Sequence, residues 1–110
     1  MAVKTTVTNH FMVMTSGFSD LPADIVGDIL TRGMAAIKPE PDTSMIVFDP
    51  KQAKTVTEDG GRTLHVAYPR LKTKVYAKLD DYGSKEFLSE NVGRKLNTRY
   101  MVTFLLAEEY

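Results

Sequence analysis

The stretch TLHVAYPRLKTKVYAKL, residues 63–79, contains the change of pattern that decides the fold. Apolar side chains lie at even positions up to Tyr68 and at odd positions from Leu71 onward, so the alternation shifts by one residue at Pro69. Such a shift moves every side chain of a strand to the opposite face, so the chain must bulge, bend or pass between strands there. Proline lacks the N–H that an interior strand donates, which favours an edge or a corner at this point.

The same stretch predicts an exposed cationic strand face, here called the basic row. Its members are basic or aromatic and lie at every second position: Arg70, Lys72, Lys74, Tyr76 and Lys78. Such a row can follow a phosphate backbone while Tyr68 or Tyr76 stacks on a base, and Arg62 extends it if the preceding hairpin lies alongside. The alternative is an ordinary solvated strand whose lysines prevent unwanted edge pairing. Both interpretations stay open, and the pattern favours the second.

Two other segments have the spacing of helices. Apolar residues from Leu21 to Ile37 form one broad helical stripe, with Ser19 or Asp20 as the predicted N-cap and Pro39 as the end. Gly33 lies within that stripe, either because the helix approaches a sheet closely there or as a tolerated weakness. A second, weaker helix is predicted over residues 84–97, with Ser84 as its cap, Phe87 and Leu88 facing inward and Glu90 paired with Arg94.

The remaining periodic segments predict strands. They cover residues 3–14, 44–48, the hairpin 54–68, and 99–107, the last of which is apolar at nearly every position and should lie inside the sheet. A hairpin loop of Asp59, Gly60 and Gly61 would place Glu58 opposite Arg62 and Val56 opposite Leu64.

Together these segments predict one α+β domain over residues 1–110. About five to six strands, in the order βαββββαβ, would form a mainly antiparallel sheet packed by two helices. The sheet face without helices would then need water or a partner.

Composition narrows the setting of the chain. The 110 residues include no cysteine, which excludes disulfides and thiolate metal sites, and 14 basic residues balance 14 acidic ones. Residues 51–78 nevertheless carry seven basic and two acidic side chains, a local excess that suits an anionic partner. No segment resembles a signal peptide or a membrane span, so we expect a cytoplasmic protein without membrane contact.

Residues that carry chemistry are sparse. His10, His65 and either Lys72 or Lys74 supply the groups of a small metal-free nuclease, but nothing in their spacing shows that they converge. We find no metal-ligand spacing, nucleotide loop or nucleophile motif. The sequence therefore predicts no catalytic residues, no metal and no cofactor.

The first functional hypothesis is a non-catalytic interaction or assembly subunit that docks a sheet face or edge onto another protein or onto copies of itself. It rests on methionines that lie within apolar strands, which suggest more apolar strand surface than two helices cover: Met12, Met14, Met45 and Met101. A small accessory or structural protein of a virus or phage would fit. The alternatives are a single-stranded nucleic-acid binder that uses the basic row, and the metal-free nuclease.

Overall fold

A computed structural model describes residues 10–37 and 43–110, and the described residues form one α+β unit. Its strands are β1 (Phe11–Met14), β2 (Met45–Asp49), β3 (Val56–Glu58), β4 (Thr63–Ala67), β5 (Val75–Asp81) and β6 (Tyr100–Leu106). Its helices are α1 (Ser16–Ser19), α2 (Ala23–Ala36) and α3 (Lys85–Val92). The predicted class and chain order are confirmed, with the single-turn α1 as an additional helix. The predicted residues 3–9 and Pro39 lie outside the described residues.

The sheet is mixed, so the prediction of a mainly antiparallel sheet is wrong. Its order is β1-β6-β5-β2-β4-β3, in which β1 pairs with β6 and β2 with β4 in parallel. The pairs β2 with β5, β5 with β6 and β3 with β4 are antiparallel. The prediction assumed that consecutive strands are neighbours, whereas β2 lies between β4 and β5.

That arrangement explains the shift of pattern at Pro69. The chain leaves the sheet after β4, crosses the end of β2 and enters β5 on the other side. The Tyr68 N–H donates to the Asp49 carbonyl at the end of β2, 3.0 Å away, which fixes the start of the crossing. Of the three predicted alternatives, a bulge, a bend or a passage between strands, the structure has the passage. The side chains before and after it all reach the same core.

The core lies between α2 and one face of the sheet. Its fully buried members come from α1, α2 and the interior strands β2, β5 and β6: Phe18, Ile29, Ile46, Val75, Ala77, Val102 and Phe104. A Cβ added to Gly33 would lie 2.6 Å from Cε2 of Phe104, so close approach to the sheet, the first of the two explanations for this glycine, is confirmed.

The start of α2 differs from the prediction. The helix begins after Pro22, which makes no side-chain cap, because the preceding residues form α1. Ser19 is the last residue of α1 and Asp20 is its C-cap, so neither caps α2. The N-cap of α1 is Thr15, whose Oγ1 accepts the N–H of Phe18 at 3.3 Å.

The β3–β4 hairpin is one residue out of the predicted register. Val56 is opposite His65 and Glu58 is opposite Thr63, so residues 59–62 form the connection. Gly60 and Gly61 both adopt positive φ, and the Arg62 carbonyl accepts hydrogen bonds from the N–H groups that start β2. Arg62 therefore lies in the connection between β3 and β4, before the first residue of the β4 ladder.

The second helix and the last strand agree better with the prediction. Ser84 caps α3 by accepting the Phe87 N–H at 3.1 Å, and Leu88 is buried. Phe87, predicted to face inward, is 52% exposed, and α3 ends at Val92, before Arg94 can pair along the helix. β6 lies inside the sheet between β1 and β5, as predicted.

Candidate functional site

The basic row does not exist as one strand face. β5 begins at Val75, so Arg70, Lys72 and Lys74 lie in the crossing connection, and only Tyr76 and Lys78 project from one face of a strand. The residues before Val75 form the passage over the end of β2 and therefore lack a partner strand. The predicted geometry is wrong, while the binding role of the individual residues stays a prediction.

Tyr68 and Arg70 are directed to the α2 side of the molecule. The buried Tyr68 hydroxyl donates to Asp28 at 2.6 Å, and Arg70 is paired with Asp24. Burial and the bond to Asp28 raise the pKa of Tyr68 to about 12. Hydrogen bonds from Tyr68 and Arg70 hold the pKa values of Asp28 and Asp24, respectively, below their usual range. These contacts fasten the crossing connection to α2.

The other cations of the prediction are dispersed. Lys72 is exposed in the connection, Lys74 Nζ lies 4.0 Å from an Asp49 carboxylate oxygen, and Arg62 lies in the hairpin connection. The structure therefore brings together Tyr76 and Lys78 from the predicted set, and separates them from Tyr68 and Arg70.

Tyr76 and Lys78 lie on the sheet face opposite α2, here called the second face. Register places Val47 and Leu105 on either side of Tyr76, and Met45 beside Lys78. A shallow depression of about 540 Å³ occupies this face. It is lined by apolar and aromatic side chains and one threonine: Met45, Val47, Thr63, Tyr76, Ala107 and Tyr110.

The most exposed member of the depression is Tyr110, at 68%. Its ring meets Tyr76 edge to face, with centroids 5.4 Å apart, and Lys78 Nζ lies 5.5 Å from its centroid. Lys78 Nζ also lies 3.5 Å from Asp80, so cation, aromatic ring and carboxylate are adjacent at the rim.

Glu109 holds the turn that positions Tyr110. Residues Ala107–Glu109 form a 3₁₀ turn after β6. The Glu109 carboxylate accepts hydrogen bonds from the Thr15 hydroxyl, from the Gly17 N–H at 3.1 Å and from the Leu106 N–H at 2.9 Å. These bonds hold the pKa of Glu109 below its usual range. The turn is thus fastened to the start of α1, and Tyr110 is held over the second face.

The two histidines do not converge. His10 precedes β1, where its ring lies edge to face against Tyr100, whereas His65 is in β4 and is paired with Glu58. β1 and β4 are separated by four inter-strand spacings, about 19 Å. One phosphate cannot contact both rings, so the predicted nuclease pairing has no geometric basis.

Residues 10–37 and 43–110 contain no cluster of three or more potential metal ligands. Within the same ranges, no helix is long and apolar enough to cross a membrane. No family model, no curated protein and no solved structure matches this chain.

The sequence reasoning missed most of the depression. Ala107 and Tyr110 follow the last strand and carry no periodic signal, and the buried strand predicted over residues 44–48 does not show which face Val47 occupies. Of the lining residues, the sequence indicates Tyr76 through the basic row and Met45 through the apolar strand methionines. One signal was present: β2 and β6 are apolar on both faces, and a strand with that pattern needs cover on both sides.

Proposed function

We propose that this protein is a non-catalytic assembly subunit that associates with a second copy of itself through the second face. The proposal rests on the depression on this face, which is lined by aromatic side chains and a methionine. Strands β2, β4 and β5 and residues 107–110 line it, and α1, α2 and α3 contribute no side chain to it.

The chemistry of the depression suits a protein interface. Tyrosine and methionine are enriched in interface cores, and a tyrosine there loses little conformational entropy on binding. Val47 is only 6% exposed, but its cover on this face comes from neighbouring rings and a turn. A partner that packs on Tyr110 would extend that cover and remove the exposed ring from water.

Charge favours a second copy as the partner. The formal net charge is zero, so two copies approach without long-range repulsion. Lys78 and Asp80 lie two residues apart on the same face of β5. In a two-fold contact the same patch meets itself, so Lys78 of each copy can face Asp80 of the other. The rim is therefore complementary to itself.

The test is molar mass by light scattering at micromolar protein. We expect about twice 12.3 kDa for the wild type. Tyr110→Ser removes an exposed aromatic anchor and should weaken association by about thirty-fold or more, the scale of an interface hot spot. Phe87→Ser is the matched control, because Phe87 is also an exposed aromatic residue but lies on α3.

A monomeric wild type would overturn the proposal. Equal loss of the dimer in both variants would also contradict it, because the second face would then have no special role. Melting curves of the variants verify that the fold is intact before the masses are compared.

A further inference from the structure

A second candidate surface lies at the end of the sheet where β5 ends and β6 begins. Residues 93–99, here called the basic loop, connect α3 to β6 and contain Arg94, Lys95 and Arg99 but no acidic residue. This loop lies outside the basic row and outside the depression on the second face.

Two of the three cations are stacked on aromatic rings. The Arg94 guanidinium carbon lies 5.2 Å from the Phe11 ring centroid, and that of Arg99 lies 5.0 Å from Tyr100. Stacking orients a guanidinium while its edge N–H groups stay available to an anion. Arg99 Nε also lies 3.2 Å from Asp81, which fixes the side chain through one of its nitrogens.

Arg94 and Lys95 are exposed, and neither lies within ion-pair distance of a carboxylate in the described ranges. Their charges are therefore not neutralised locally. Two such neighbouring cations form a site for a polyanion rather than an internal salt-bridge network.

The loop borders a depression of about 440 Å³ with polar walls. Its lining residues are His10, Asn97, Thr98, Arg99 and Tyr100. Nδ1 of His10 is buried and has no hydrogen-bond partner among residues 10–37 and 43–110, while Asn97 is exposed and offers an amide. The Asn97 amide and the Arg99 guanidinium are exposed and can donate hydrogen bonds of the kind that phosphate and sugar oxygens accept.

An aromatic pair, the exposed Phe87 and the half-buried Tyr82, adjoins the basic loop. The Tyr82 N–H donates to the Arg99 carbonyl at 2.8 Å, and the Tyr82 ring lies 6.0 Å from that of Phe87. Cations that follow a backbone, beside aromatic rings on which bases stack, are the combination by which proteins hold single strands.

We propose that this end of the sheet binds single-stranded nucleic acid. Arg94, Lys95 and Arg99 contact consecutive phosphates, and a base stacks on Phe87. The proposal does not depend on self-association, because it uses the α3 end of the sheet and not the depression over β2 and β5.

The experiment is fluorescence anisotropy of a labelled oligodeoxythymidine at several salt concentrations. Affinity for the wild type should fall as salt rises. Arg94→Gln with Lys95→Gln removes two phosphate contacts, which should weaken binding and reduce the slope of log affinity against log salt by about 1.4. Lys72→Gln with Lys74→Gln removes the same charge from the crossing connection and should leave affinity and slope unchanged.

Phe87→Leu separates stacking from charge. It should weaken binding at least about five-fold at every salt concentration, with the wild-type slope. If Arg94→Gln with Lys95→Gln fails to fold, Lys95→Gln alone replaces it, because Lys95 makes no hydrogen bond, ion pair or ring contact with the described residues. The slope of log affinity against log salt should then fall by about 0.7.

Four results would overturn the proposal. They are no binding by the wild type, equal losses in the two charge variants, full affinity in Phe87→Leu, and competition by polyglutamate as strong as that by unlabelled oligonucleotide. The last result would show a general anion site without recognition of bases.

Discussion

The two faces of the sheet are both apolar, but they are covered in different ways. On the first face α2 packs so closely that Gly33 leaves no room for a Cβ beside Phe104, and the side chains between them are fully buried. On the second face Leu105, the neighbour of Phe104, is 8% exposed, and next to it lie the rings of Tyr76 and Tyr110. One face is sealed by a helix, and the other carries rings that water still reaches.

Because of this difference, we expect one face to stabilise the fold and the other to be available to a partner. A face packed against a helix has no surface left for a partner, whereas a face that ends in an exposed ring and a charged rim can pack against one. We therefore expect the folding free energy to come mainly from the first face, and the proposed association to use the second.

The largest expected effect comes from adjacent substitutions in β6 that probe the two faces. Phe104→Ala should cost about 3–5 kcal/mol in the free energy of unfolding, because α2 and Phe18 cannot close the cavity without shifting. Leu105→Ala should cost about 2 kcal/mol, since its cross-strand neighbour Tyr76 is only partly buried and can shift toward the cavity. Urea denaturation measures both. An equal or greater cost for Leu105→Ala would show that the second face is packed as firmly as the first.

A smaller effect is expected from two glycines of α2. Gly33→Ala should destabilise the fold by about 1–3 kcal/mol, because the new methyl group meets a fully buried ring. Gly27→Ala has nothing within 4 Å of the new Cβ, so the gain in helix propensity should stabilise the fold by up to about 1 kcal/mol. Opposite signs in thermal melts support the close approach of α2 to the sheet. Stabilisation by both substitutions would contradict it.

The smallest effect concerns the turn that carries Tyr110. The folded pKa of Glu109 is lowered from its ordinary value of 4.5, so its contribution to stability is present above pH 4.5 and is lost as pH falls through the folded pKa. Glu109→Gln should therefore give a shallower decline of the unfolding free energy in acid than the wild type.

Glu108→Gln is the control for that measurement, because it removes the same charge from the same turn at an exposed position. It should retain the wild-type decline. Identical acid profiles for the wild type and Glu109→Gln would show that the three hydrogen bonds to Glu109 do not hold the turn in solution.

The sequence predicts the individual helices and strands well, but it does not predict which strands are neighbours in the sheet. The apolar stripe of α2, the Ser84 cap and the interior position of β6 follow from local periodicity and capping, which depend on residues close in the chain. β2 pairs with β4 in parallel because β3 lies on the far side of β4, and no local rule shows which strand a connection passes.

The same limit explains the result for the candidate site. The alternation of Arg70, Lys72 and Lys74 resembles a strand, but these residues are in a connection, and Arg70 is recruited by Asp24 from a helix 46 positions away. Tyr110 reaches Tyr76 only because Glu109 is held by Thr15 and Gly17. Contacts between residues so far apart in the chain cannot be predicted from local sequence patterns.

The most direct test of the central claim uses the absence of tryptophan from the chain. Tyr110→Trp places a single indole at the rim of the second face, and Phe87→Trp places one on α3 as a control. The measurement is the emission maximum over a dilution series from high to low micromolar protein. The account predicts a blue shift with rising concentration for Tyr110→Trp alone, because a second copy removes that ring from water. The same concentration-independent emission in both variants would contradict self-association through this face.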